Sequence, residues 1–268
     1  MHLKRWITGL TALPVLIFLV YTGGIPFVLL VSVACLCSFW EYCRIVFNNE
    51  RDVQPNLVIW WGYFICLFIL IMAHMAGLQT VAVIIASNLV LAGLVSVFIY
   101  KSKPSIVDVI PKQVQGIVYI PLLLSFLVLI RRDSNGMTWI FFLLSIIFAG
   151  DVCAYYVGSY FGKHKLAPAI SPGKTVEGAI GGLAGNLLAG AIGKYFFLPE
   201  LSWSMSILFF LAAGIAGQVG DLYESELKRS SQIKDSGGIL PGHGGFLDRI
   251  DALLFASPVA YAFKMYIF

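Results

Sequence analysis

The chain has 268 residues, of which 59% are hydrophobic and only 12% charged, with a mean hydropathy of +0.87. A water-soluble domain carries roughly 25% charged residues, so too few polar side chains are present to cover a solvated surface, and a membrane protein is the class that remains. The net charge of +4 is modest, no nucleic-acid partner is expected from it, and where the charges fall matters more than their sum.

A bilayer core of ~30 Å takes about 20 apolar residues as helix. That rule predicts an all-α fold, a polytopic transmembrane helical bundle of about nine spans. They lie near Trp6–Tyr21, Ile25–Phe47, Leu57–Gly77, Thr80–Tyr100, Ile117–Ile130, Met137–Phe161, Val176–Leu198, Ser202–Tyr223 and Ile250–Phe268. Lys4 and Arg5 before the first apolar run resemble a signal peptide. No small-residue cleavage site follows at Val20–Gly24, so the run is taken as a span. Val107–Gly116 reads as a loop or an interfacial segment. With a cytoplasmic N-terminus, 14 of the 18 Lys and Arg residues fall on the inside, and only Arg131, Arg132, Lys194 and Lys264 outside. This is the bias the positive-inside rule requires. It places two polar segments, Gly162–Thr175 and Glu224–Arg249, on the cytoplasmic side.

The chain reads as one integral membrane domain, residues 1–268. Plain spans fill 1–135, and the chemistry lies in 136–268. Cys35, Cys37, Cys43, Cys66 and Cys153 all sit in apolar runs with no Cys-x-x-Cys spacing, which suggests neither zinc nor a disulfide framework. Gly178-x3-Gly182 and Gly181-x3-Gly185 have the spacing that lets helices pack closely in lipid. Trp60 and Trp61 read as interfacial anchors or lipid contacts.

A carboxylate at the centre of a span costs ~2.5–3.5 kcal/mol on insertion scales and needs a reason. Asp151 lies within an otherwise apolar run, Asp221 closes another, and Asp248 and Asp251 open the last. Asp221, Glu224 and Ser225 share one helix face, with Lys228 four residues beyond Glu224. Between the two acidic helix ends lies a glycine-rich stretch holding Lys228, Arg229, Lys234 and His243. Acids and bases mixed in this way suit a metal–phosphate site. Mg2+ takes one or two carboxylates and completes its octahedron with water and phosphate, and Lys and Arg neutralise the remaining charge. In Gly162–Thr175, prolines and a glycine exclude regular helix. A new helix then starts with Glu177 in its first turn, and an N-terminus preceded by Lys174 and Thr175 suits an anion. The spacing of a Walker P-loop is missing.

These residues carry a resemblance. Ser225-Glu226-Leu227-Lys228-Arg229, then Lys234-Asp235-Ser236-Gly237, then Leu240-Pro241-Gly242-His243-Gly244-Gly245-Phe246-Leu247-Asp248-Arg249-Ile250-Asp251 resembles the signature of the phosphatidate cytidylyltransferase family. Gly220-Asp221-Leu222, Ser171–Gly178 and Asp151 with Ala154-Tyr155 are similar to that family as well. Gln232 stands where glycine is common, and Val152-Cys153 is less polar than usual after the acid.

The resemblance implies transfer of a cytidylyl group from CTP to phosphatidic acid, giving CDP-diacylglycerol and pyrophosphate. It implies Mg2+, with K+ as a candidate second cation, a homodimer in the bilayer, and a site facing the cytoplasm of a bacterial inner membrane. By the same resemblance Asp221, Asp248 and Asp251 are the metal ligands. Asp221, Asp248, Lys228, Lys234 and His243 are catalytic. Arg229, Lys174, Ser171, Arg249, Ser225, Glu224 and Asp151 bind or support substrate. Two other readings stand beside this one. An ion-coupled transporter would use Asp151 and the glycine-rich helices, and a CTP-dependent lipid kinase would release CDP instead of pyrophosphate.

Overall fold

A computed structural model describes residues 13–47, 56–233, 236–237 and 244–268. The described residues are almost wholly helical. In order it forms α1 (Leu13–Thr22), α2 (Gly24–Val46), α3 (Asn56–Met75), α4 (Leu78–Ile99), α5 (Ile106–Ile117) and α6 (Leu123–Arg132), then α7 (Gly136–Phe161), α8 (Val176–Phe197), α9 (Trp203–Ser230) and α10 (Leu247–Ala262). Among the described residues, eight helical stretches are long and apolar enough to cross a membrane. Of the expected first span, Trp6–Tyr21, the described part lies in α1, an apolar helix shorter than the eight, and residues 6–12 lie outside the described residues.

Two corrections concern boundaries. The fifth span does not start at Ile117. It runs without a break over Ile106–Arg132, with a π-helical turn at Val118–Leu122 joining α5 to α6. Several of its polar groups find partners on other helices. Asn88 and Gln113 exchange amide hydrogen bonds at 3.3 Å. The Tyr42 hydroxyl donates to the Lys112 carbonyl at 2.8 Å. Trp61 is likewise not merely a lipid contact, because its indole N–H donates to Asn88 at 3.0 Å. Secondly, α9 continues past Tyr223 to Ser230, so Lys228 and Arg229 stand on the helix and not in the glycine-rich stretch that follows it.

The chain divides into two compact units, Met1–Arg132 with Ser231–Asp248, and Asp133–Ser230 with Arg249–Phe268. In the first unit, Arg131 donates to the carbonyls of Val20 and Tyr21, and Arg132 to those of Ala73 and His74. Both cap helix C-termini, where carbonyls lack partners. The ends of α1, α3 and α6 therefore share one side, as the alternating topology requires.

In the second unit, α7 and α8 pack backbone to backbone along glycines, as the small-residue spacing predicts. A Cβ on Gly178 would stand 2.9 Å from the Ala154 carbonyl oxygen, and one on Gly185 2.9 Å from that of Ala149. Gly178→Val is expected to overpack this contact and cost about 1–3 kcal/mol. Thermal unfolding of the detergent-solubilised protein, read by intrinsic fluorescence, checks it. An unchanged midpoint would refute the packing role.

Candidate active site

The second unit assembles most of the expected residues. Between α7 and α8 the chain makes a hairpin, β1 (Lys165–Ala167) paired antiparallel with β2 (Ser171–Thr175). Thr175 is the N-cap of α8, its hydroxyl accepting the Gly178 N–H at 3.1 Å. Glu177 in the first turn reaches back to the hairpin's start. It accepts the backbone N–H groups of Lys163 and His164 at 3.0 and 3.2 Å, and meets His164 Nδ1 at 2.6 Å. At the hairpin's other end, Arg229 Nε donates to the Ile170 carbonyl at 3.0 Å. The hairpin is therefore tied to α8 and to α9. Ser171 opens β2 and is half-buried.

Lys174, on β2, turns to Asp221 of α9, with Nζ 2.6 Å from Oδ2 and side chains 26% and 39% exposed. One turn on, Glu224 pairs with Lys228 at 2.5 Å, with side chains 1% and 12% exposed. Asp151 of α7 lies within electrostatic range of both members of this first pair, Asp221 and Lys174. Asp251 of α10 is buried within range of Asp221, Glu224 and Asp151. Gly220 makes that approach possible, because a Cβ there would stand 2.4 Å from the Asp251 carbonyl oxygen. Ser225 is half-buried on α9, and Arg229 and Arg249 are exposed.

The two ion pairs differ in what they contribute. A pair as exposed as Lys174–Asp221 stabilises a fold by at most about 1 kcal/mol. Folding alone gives little reason to keep it, whereas a cation and a carboxylate open to a ligand are useful for binding phosphate and metal. Lys228–Glu224 is buried, so loss of either partner removes a charge that the other faces away from solvent.

Four carboxylates and two ammonium groups in one cluster leave a surplus of negative charge. All the donors are hard oxygens, a set suited to Mg2+ and unsuited to a thiolate-binding metal. No three His, Cys, Asp or Glu side chains among the described residues converge at ligating distance. The residues thus fit an ion that takes one or two carboxylates and fills its remaining positions from water and phosphate. They do not form an all-protein cage.

Asp248 belongs to the first unit and sits at the start of α10. Its Oδ2 accepts the Gly245 N–H at 3.0 Å and the Ser236 hydroxyl at 2.9 Å. Lys234 and His243 lie outside the described residues. Sequence reasoning missed a residue here. Glu41 of α2, fully buried, accepts the N–H groups of Phe246 and Leu247 at 2.9 and 2.7 Å, and its Oε2 lies 3.1 Å from the Ser236 hydroxyl, whose one proton is shared between Glu41 and Asp248. Gly237 and Gly245 leave the room it needs, since a Cβ on either would stand within 2.2 or 2.7 Å of its carboxylate oxygens. The signal was available, because Glu41 is the one acid in the 23-residue run of α2, and the same reasoning that singled out Asp151 applies to it.

Fold and chemistry together define a polytopic helical membrane protein with paired acids and bases suited to a phosphate-bearing substrate. The chain belongs to the Cytidylyltransferase family, whose profile matches residues 3–267. It is 34% identical over 262 residues to the phosphatidate cytidylyltransferase of Bacillus subtilis (strain 168), covering 96% of each chain. It is 32% identical over 260 residues to that of Brucella suis biovar 1 (strain 1330), covering 97% of this chain and 92% of the relative. A shorter match, 41% identical over 136 residues, links it to the phosphatidate cytidylyltransferase of Staphylococcus haemolyticus (strain JCSC1435), covering 51% of this chain and 52% of the relative.

Proposed function

We propose that this protein transfers the cytidylyl group of CTP to phosphatidic acid, releasing pyrophosphate and leaving CDP-diacylglycerol in the membrane. The observation that carries the reading is the Lys174–Asp221 pair beside Asp151 and Asp251, in a chain similar over nearly its whole length to proteins named for this reaction.

An oxygen of the lipid phosphate attacks the α-phosphorus of CTP. A new P–O bond forms, and the bond from that phosphorus to the oxygen bridging the α- and β-phosphates breaks. A phosphate monoester has its second pKa near ~6, so the nucleophile is already largely ionised and no strong general base is required. The obstacle is the meeting of two anions. Lys174 and Lys228, with Arg229 and Arg249, supply fixed positive charge to hold both substrates and to stabilise the departing pyrophosphate. Asp221, Asp248 and Asp251 are the residues proposed to hold Mg2+, and Asp151 and Glu224 support the cluster. When bound, the ion supplies further charge neutralisation at the phosphates. Ser171 and Ser225 are proposed to hydrogen-bond substrate, and Lys234 and His243 to contact phosphate. K+ as a second cation and a homodimeric state belong to the same proposal. So does placement in a bacterial cytoplasmic membrane with the site facing the cytoplasm, which the 14-to-4 distribution of basic residues supports.

Purified protein given phosphatidic acid, Mg2+ and CTP labelled at the α-phosphate is expected to place label in the extracted lipid, with matching pyrophosphate release. Unlabelled lipid with CDP release would replace this reading with a kinase. No turnover by folded protein would favour a transporter.

A further inference from the structure

We propose that Glu41 is a positioning residue for the reaction, fixing the start of α10 so that the Asp248 carboxylate is held in its working place. The inference rests on the reading of Asp248 as part of the active centre. Its geometry stands independently of that reading.

A carboxylate with no solvent exposure in an apolar helix has to be matched by donors. Among the described residues, Glu41 takes its backbone donors from the start of α10. One oxygen takes the Phe246 N–H and the other the Leu247 N–H. These are among the N–H groups that a helix start leaves without intrahelical partners. A buried negative charge at that point also complements the positive end of the helix dipole. Asp248 is the next residue after Leu247, in the first turn of α10, so what fixes Phe246 and Leu247 fixes its backbone.

Ser236 makes the second link. Its hydroxyl lies 3.1 Å from Glu41 Oε2 and 2.9 Å from Asp248 Oδ2, so it sets the spacing of the two acids. The glycines close the argument. With a side chain at position 237 or 245, Glu41 could not occupy its place, and a Cβ on Gly245 would also stand 1.8 Å from the Ser236 hydroxyl oxygen. Glycine in this stretch is therefore explained by the Glu41 carboxylate as well as by backbone freedom. Among the described glycines of this stretch, only Gly244, with φ of +83°, needs the left-handed region.

The test compares Glu41→Gln and Ser236→Ala with the full-length wild-type protein in detergent. The amide of Gln presents an NH2 group toward a backbone N–H, so one of the two N–H contacts is lost. Because groups that orient a ligating carboxylate typically matter by 10–100-fold, kcat is expected to fall by about that factor. The Mg2+ concentration for half-maximal rate should rise. A merely structural loss would reduce the active fraction without moving Mg2+ dependence. The double variant should lose little beyond the worse single one. Hydrogen exchange at the Phe246 and Leu247 amides, read by mass spectrometry without any substrate, should quicken in Glu41→Gln. If Glu41→Gln does not fold, Ser236→Ala carries the test, since it removes only a hydroxyl. Wild-type kcat and Mg2+ dependence in either folded variant would overturn the proposal, and so would unchanged exchange in Glu41→Gln. A wild-type protein that forms no labelled lipid would instead sink the cytidylyl-transfer reading, leaving the exchange result to decide whether Glu41 anchors α10.

Discussion

Asp221→Asn is expected to lower turnover about a thousandfold or more, equivalent to ~4 kcal/mol of transition-state stabilisation, while the protein still inserts, purifies and unfolds like wild type. The asymmetry follows from burial. Asp221 is 39% exposed and its partner Lys174 26% exposed, so the pair adds at most about 1 kcal/mol to folding. Asn preserves the shape and one acceptor oxygen and removes only the charge. The proposed Mg2+ site, which would bring two phosphates together, needs that charge. Asp248→Asn is expected to behave alike in turnover. Labelled-lipid formation alongside size-exclusion chromatography checks both. Near-normal turnover in either variant would remove that residue from the metal-ligand role, and a loss matched by aggregation would make the role structural.

How much of this could be read from residues alone depended on whether a position acts locally. Lys228 and Glu224 are four apart on a helix, and their pairing followed from spacing alone. The Thr175 cap and the start of α8 were likewise local, as was the small-residue seam along α8. Lys174 meeting Asp221 was a different matter. Both residues were singled out, yet nothing in their separation of 47 positions shows them 2.6 Å apart. Glu41 stands out in the sequence as the one acid of α2, but its partners at 236, 246 and 247 lie about two hundred residues away and are not legible there. The late start assigned to the fifth span has a physical cause. Asp108, Pro111, Lys112, Gln113 and Gln115 break its apolar run. Hydropathy counts such residues as a cost, but Asn88 and Tyr42 supply partners that cancel part of it. Partners of this kind come from the fold, so they are invisible in a window of sequence.

Lys228→Met is expected to have the largest effect on stability, and its rescue separates two roles of one residue. Glu224 is 1% exposed and Lys228 12%. Removing the ammonium leaves a carboxylate buried in α9 beside Asp221 and Asp251, and breaking a buried pair in this way costs about 3–5 kcal/mol. That is a large share of the 5–15 kcal/mol by which a typical domain is stable, so yield and thermal midpoint should both drop sharply. Adding Glu224→Gln removes the buried carboxylate's charge, and most of the lost stability should return, because replacing both members of a buried pair is often close to neutral. Turnover should not return. If Lys228 supplies positive charge to the phosphates, a neutral pair cannot do so, and the folded double variant should remain at least a hundredfold slower, about 3 kcal/mol in activation energy. Thermal unfolding and labelled-lipid formation on the same three preparations decide it. Recovery of both properties would make Lys228 a structural counter-ion only, and recovery of neither would mean that the helix end depends on Lys228 for more than its pairing with Glu224.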